Sequence, residues 1–146
     1  MAAGSTFGEA FIPIGATRAG SERKTLTEAL HNLRAVVAWK IFGIDNETAK
    51  ASAVPSATTL LGFVHHLAWV EAWWFQHVYA RQHVDYPFNW SKDEGVEFRM
   101  TEKHAVEEVR GIYEANVVRS NEIIAPAPDF ETAVQVADNE YSPVGF

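Results

Sequence analysis

Apolar residues recur at helical spacing through three stretches of the chain. In the first, Leu26, Leu30, Leu33, Val37 and Ile41 make one stripe, which predicts a helix over about 21–42. Ser21 is placed to cap its first turn, Glu22 suits the positive end of the helix dipole, and Gly43 suits the stop. The run IDNETAKASAVPSA then reads as a loop holding one helical turn at about 46–51. Ser56 or Thr58 can cap a second helix over about 58–82. Its apolar residues, from Leu60 to Val78, surround nearly the whole circumference, and the narrow polar sector lies around His65 and Gln76. Residues 83–100 carry Pro, Asn, Asp and Gly and read as a long connection with aromatic anchors. Thr101, with His104 three residues on, opens a third helix over about 101–124. Its stripe is Ala105, Val109, Ile112, Tyr113, Asn116, Ser120 and Ile123, and Pro126 and Pro128 end it.

Three long helices without a strand pattern predict an all-α fold, of the antiparallel up-down four-helix-bundle type. Three of the four helices are evident. The fourth is expected to be missing, or replaced by the tail 125–146 or by a partner chain. Residues 1–20 read as an N-terminal arm and 21–146 as a single domain. The second helix is too apolar for three helices alone, which leads to the expectation of a homodimer.

Composition narrows the classes. The chain of 146 residues is 47% hydrophobic, with five Trp and nine Phe, enough for one core without metal or disulfide staples. Twelve Lys and Arg face 19 Asp and Glu, for a net charge of −7, which argues against nucleic acid and against anionic membrane surfaces. There is no Cys, so the chain supplies neither a thiol nucleophile nor a thiolate ligand. The N-terminus lacks the pattern of a secretory signal, and the cytoplasm is the expected compartment.

The chemistry that remains is histidine and carboxylate. His65 and His66 are adjacent, so their rings project about 100° apart and cannot share an ion. No HxxxH or HExxH spacing occurs, so a metal site would have to be assembled between helices. His66, beside Phe63 and Val70 on the dry part of its helix, is the candidate metal ligand for zinc, nickel or iron, against the reading of a hydrogen-bonded core histidine. Glu71, on the same dry part, is a candidate general base or a partner of Arg34. His65, His77, His83 and His104 read as surface or boundary residues. Asn116 either bonds across the bundle or touches a ligand, and the aromatic cluster containing Trp74 reads as core and interface or as a ligand box. Phosphate loops, nucleophile elbows and dinucleotide fingerprints are all lacking.

The run PSATTLLGFVHHLAWVEAWWF resembles the DinB-like superfamily, within it the branch near mycothiol-dependent maleylpyruvate isomerase. The flanking stretches ERKTLTEALHNLRAVVAWK and FNWSKDEGVEFRM extend the likeness over about residues 21–125. The resemblance implies a four-helix bundle with a divalent-metal pocket, a mycothiol-type thiol as cofactor, and thiol transferase, isomerase or hydrolase activity. It makes His66 a metal ligand, sets Glu71 and Trp74 behind it, and leaves Trp74 and Asn116 as candidates for contact with the cofactor. The family's remaining ligands come from its last helix. No His follows Glu122 here, so an inactive bundle is the accompanying expectation. The alternative class is a non-catalytic dimeric helical module that binds a small apolar ligand or a protein partner.

Overall fold

The computed structural model describes residues 14, 15, 20–52, 54, 55, 58–89, 92, 93 and 95–128. The tail beyond 128, most of the arm before 20, and the candidate cap Ser56 lie outside the described residues. The chain divides into two units at Gly43 and Ile44.

Among its described residues the first unit holds the helix α1, Glu22–Ile41. The Ser21 side chain accepts from the Lys24 backbone N–H, as a cap should, and Gly43 follows the helix with φ of 72°, a left-handed conformation that glycine adopts without strain. The buried face is not the expected leucine stripe. Arg34, Ala35, Ala38 and Ile41 are buried, whereas Leu26, Leu33, Val36 and Trp39 are exposed. The buried face is turned by roughly a quarter-circle from that stripe. Small alanines permit close approach of whatever packs there, and hydrophobicity weighted by side-chain size points to the wrong side. The arm touches this helix at Ile14, whose N–H donates to Asn32 Oδ1.

The second unit begins with the short helix α2, Asn46–Lys50, capped by Asp45 and close to the expected turn. Hydrogen bonding to the Thr48 backbone N–H and to its hydroxyl holds the Asp45 carboxyl below its ordinary range. The main helix opens as α3, Leu60–Glu71. Its cap is Thr59, which accepts from the Gly62 N–H, in place of Ser56 or Thr58. From Ala72 to Tyr79 the helix widens to π geometry, and the Ala80 N–H reaches back five residues to the Phe75 carbonyl. The Trp73 and His77 rings stack within this wide turn, with centroids 4.7 Å apart.

The connection is more ordered than its composition predicts. It holds a short helix α4, Val96–Arg99, and a 3-10 turn, Met100–Lys103. Thr101 therefore belongs to that turn, and the last helix among the described residues, α5, spans Val106–Ile124. Glu108 accepts from the Ala105 N–H, and Asn46 of α2 accepts from Val106, so α5 gains its N-terminal partners from outside the expected cap. Val109, Tyr113, Ser120 and Ile123 are buried as expected, joined by Val106 and Val117.

The all-α class holds, and no strand occurs among the described residues beyond one isolated bridge between Ser52 and Thr59. No helix among them is long and apolar enough to cross a membrane. The α3–π rod and α5 run in the same direction. His65 stacks on His104 just ahead of α5, Gln76 bonds Asn116, and Arg119 bonds Gln82, so positions climb together along both helices. Up-down alternation was expected of consecutive long helices, but residues 83–105 are long enough to carry the chain back to the starting end.

Candidate functional site

Of the two adjacent histidines of α3, it is His65 that departs from the environment expected of it. His65, assigned to the wet sector, is fully buried, while the His66 side chain retains 15% exposure. The segment 96–103 lies over the sector that helical periodicity leaves polar. Gly62 makes this possible: a Cβ at that position would sit 2.4 Å from the Phe98 carbonyl oxygen, closer than real contacts allow. Glycine at 62 admits the α4 backbone against α3, and the neighbouring residue, Glu97, then meets both imidazoles.

His65 Nδ1 lies 2.6 Å from the Glu97 backbone carbonyl, and the Trp69 indole N–H donates to His65 Nε2 at 3.1 Å. A carbonyl can only accept and an indole can only donate, so His65 is neutral with its proton on Nδ1. Burial pushes its pKa below the ordinary histidine value, and the bond to the Glu97 carbonyl only partly opposes that. Both ring nitrogens are spent, which makes His65 the satisfied core histidine. Its ring also contacts Phe88 and His104, and Trp69 meets Tyr86 and Phe88 edge-to-face. The aromatic residues of the connection thus anchor it to α3. Burial in this cluster raises the Tyr86 pKa.

His66 Nδ1 lies 3.0 Å from Glu97 Oε1, and its ring stacks on Phe98 with centroids 4.4 Å apart. The Glu97 side chain is only 2% exposed, and its second oxygen, Oε2, is buried without a hydrogen-bond partner among the described residues. A buried carboxylate left half-satisfied is costly, so the His66 contact matters to it. With the Glu97 oxygen as acceptor, the His66 proton sits on Nδ1 and Nε2 keeps a lone pair. That is the arrangement of an imidazole oriented for proton transfer or for ligation.

The other candidates are not gathered here. Glu71 is buried, but it stands five residues beyond His66, about 140° round the helix. Trp74, in the π segment, is exposed and makes no hydrogen bond or ring contact among the described residues. Asn116 Oδ1 accepts from Gln76 Nε2 at 2.9 Å, a bond between α5 and the π segment. Among the described residues no three His, Asp or Glu side chains gather in a way that could hold a metal ion. Glu97 was missed because it lies in a stretch with no helical period, and the Gly62 contact that brings it in has no local sequence signal.

No curated protein and no solved structure matches the chain. The model of a family described as Mycothiol-S-transferase matches residues 25–144, which takes in most of α1, both histidines of α3 and Glu97. That match covers most of the 146 residues and agrees with the DinB-like likeness of the His65–His66 segment, and the chain therefore belongs to the mycothiol S-transferase family.

Proposed function

We propose that this protein transfers a low-molecular-weight thiol of the mycothiol type to an electrophilic carbon, with His66 as the working imidazole. The observation that carries the reading is the His66–Glu97 pair, in which one ring nitrogen is tied to a buried carboxylate and the other has no partner among the described residues. The membership of the family supplies the thiol. The lack of Cys in the chain is compatible with a thiol that comes from outside.

The chemistry asked of the pair is proton transfer. His66 Nε2 takes the proton of the thiol, and the thiolate forms a carbon–sulfur bond. The leaving group departs with the electrons of its bond to carbon and collects a proton from His66 or from water. The Glu97 carboxylate stabilises the imidazolium that forms in between. Trp74, an exposed indole, is the proposed apolar contact for the bound thiol.

The family also implies a divalent metal such as zinc, nickel or iron. His66 suits a ligand, because metal-bound histidines commonly give their other N–H to a carboxylate. Among the described residues no three His, Asp or Glu side chains gather around it, so they do not form a metal site among themselves. Were a metal ion held there, it would make the thiol more acidic.

The test is turnover of mycothiol with a chromogenic electrophile, alongside metal analysis of the purified chain. His66→Ala is expected to lower kcat by about 10²–10⁴-fold, the range of a lost acid–base group, with folding checked by circular dichroism. Full activity in a folded His66→Ala protein ends the reading.

A second reading is a non-catalytic module that binds an apolar ligand, a protein partner or a second copy of itself. The exposed face of α1, with Leu26, Leu33, Val36 and Trp39, favours it. Chain mass in solution, measured for wild type and for Leu33→Glu, separates self-association from a free monomer.

A further inference from the structure

Glu97 uses two different atoms on the two histidines. Its backbone carbonyl meets His65 Nδ1 at 2.6 Å, and its side-chain Oε1 meets His66 Nδ1 at 3.0 Å. The first bond exists whatever residue occupies position 97, and the second exists only with an acceptor side chain of the right reach. The carboxylate is 2% exposed, and its other oxygen has no partner among the described residues. Among the described residues nothing else holds the His66 proton in place, since the ring's other close contact is the face of Phe98.

We infer that the Glu97 side chain is the positioning residue of the site, fixing His66 in the Nδ1–H tautomer so that Nε2 presents the reactive lone pair. A free imidazole in water exchanges between tautomers, and the wrong one presents an N–H where a lone pair is needed. A buried carboxylate selects one tautomer and also sets the ring plane, which the stack on Phe98 then supports from the side. His65 carries the same tautomer for a separate reason, because its two nitrogens are fixed by the Glu97 carbonyl and the Trp69 indole. One residue of the connection therefore sets the protonation pattern of two neighbours, and only one of the two settings depends on its side chain.

This gives an internal control. In the full chain labelled with nitrogen-15, with chelator present and no substrate, the ring nitrogens of both histidines are read near pH 9, well above the ordinary imidazole range. Wild type is expected to show Nδ1–H at both residues. In Glu97→Ala the His66 signals should move to the mixture of an unconstrained imidazole, while His65 keeps its Nδ1–H. Glu97→Met retains most of the buried volume and asks the same question should the alanine variant fail to fold. A wild-type His66 that carries its proton on Nε2 overturns the inference, and that measurement needs no variant. So does a His66 that keeps Nδ1–H in either folded variant. A change at His65 together with His66 also overturns it, since the side chain would then act only by packing α4 onto α3.

The catalytic meaning of the inference rests on His66 as the working imidazole. The two fail separately: tautomers are read without turnover, and loss of activity in His66→Ala is read without reference to tautomers.

Discussion

Glu97 Oε1 stands 3.0 Å from His66 Nδ1, joining a carboxylate of the 83–105 connection to an imidazole of the main helix across 31 residues of sequence. The pair is mostly buried, and the other carboxylate oxygen, Oε2, has no hydrogen-bond partner among the described residues. Removing both members should therefore cost less than the two separate removals added together. His66→Leu alone is expected to destabilise by about 1–3 kcal/mol, because it leaves a buried carboxyl group without its hydrogen-bond partner. The double variant His66→Leu with Glu97→Leu is expected to cost less than the sum of the two single ones. Urea denaturation of the four proteins checks this, and strictly additive losses count against a coupled pair.

Acid should weaken the fold through His65. Its pKa is held down in the folded chain, first by burial, while the unfolded chain titrates near the ordinary value of about 6.5. The unfolded state therefore takes up the proton first. The contribution of His65 is complete above about pH 6.5 and is lost as pH falls toward the lower folded value. The denaturation midpoint should drop across that window in wild type and flatten in His65→Asn. Asp45, also held low, gives way only below the ordinary carboxylate range, so the two windows are separable. An acid slope equal in wild type and His65→Asn would show that another group is responsible.

Gly62→Ala tests the close approach that assembles the site. A Cβ there meets the Phe98 carbonyl at 2.4 Å, and a backbone atom cannot swing aside as a side-chain tip can. The α4 segment has to move, at a cost of about 1–3 kcal/mol by analogy with overpacked cores. Thermal melting measures the loss. Both Glu97 contacts should weaken together, and with them the activity. An alanine variant as stable and as active as wild type would mean that the approach is not needed.

Asn116→Ala separates a structural asparagine from a thiol contact. The bond from Gln76 Nε2 is part-buried and links the π segment to α5, so a double-mutant cycle with Gln76→Ala should give a coupling of about 0.5–1.5 kcal/mol. KM for the thiol should stay unchanged in the single variant. A raised KM without a change in stability would return Asn116 to the binding site.

Much of the local structure was legible in the residues. The Ser21 cap, the stop at Gly43, the turn after Asp45 and the buried stripe of α5 at Val109, Tyr113, Ser120 and Ile123 all follow from short-range rules of capping and period. Those rules failed where volume, rather than polarity, decided burial. Ala35 and Ala38 lie inside α1, and Leu26 and Leu33 lie outside.

They failed again at His65, where the period marks a wet sector and a distant segment covers it.

The residues by themselves establish that the chain is helical and where its long helices lie to within a few residues. Short-range periodicity and the DinB-like run carry that much. Only the tertiary structure decided that His65 is the spent histidine, that Glu97 serves both rings, and that α3 and α5 run parallel. Each of these depends on a connection of irregular composition folding back through the space that Gly62 leaves open, and contacts between residues some 30 positions apart leave no periodic trace.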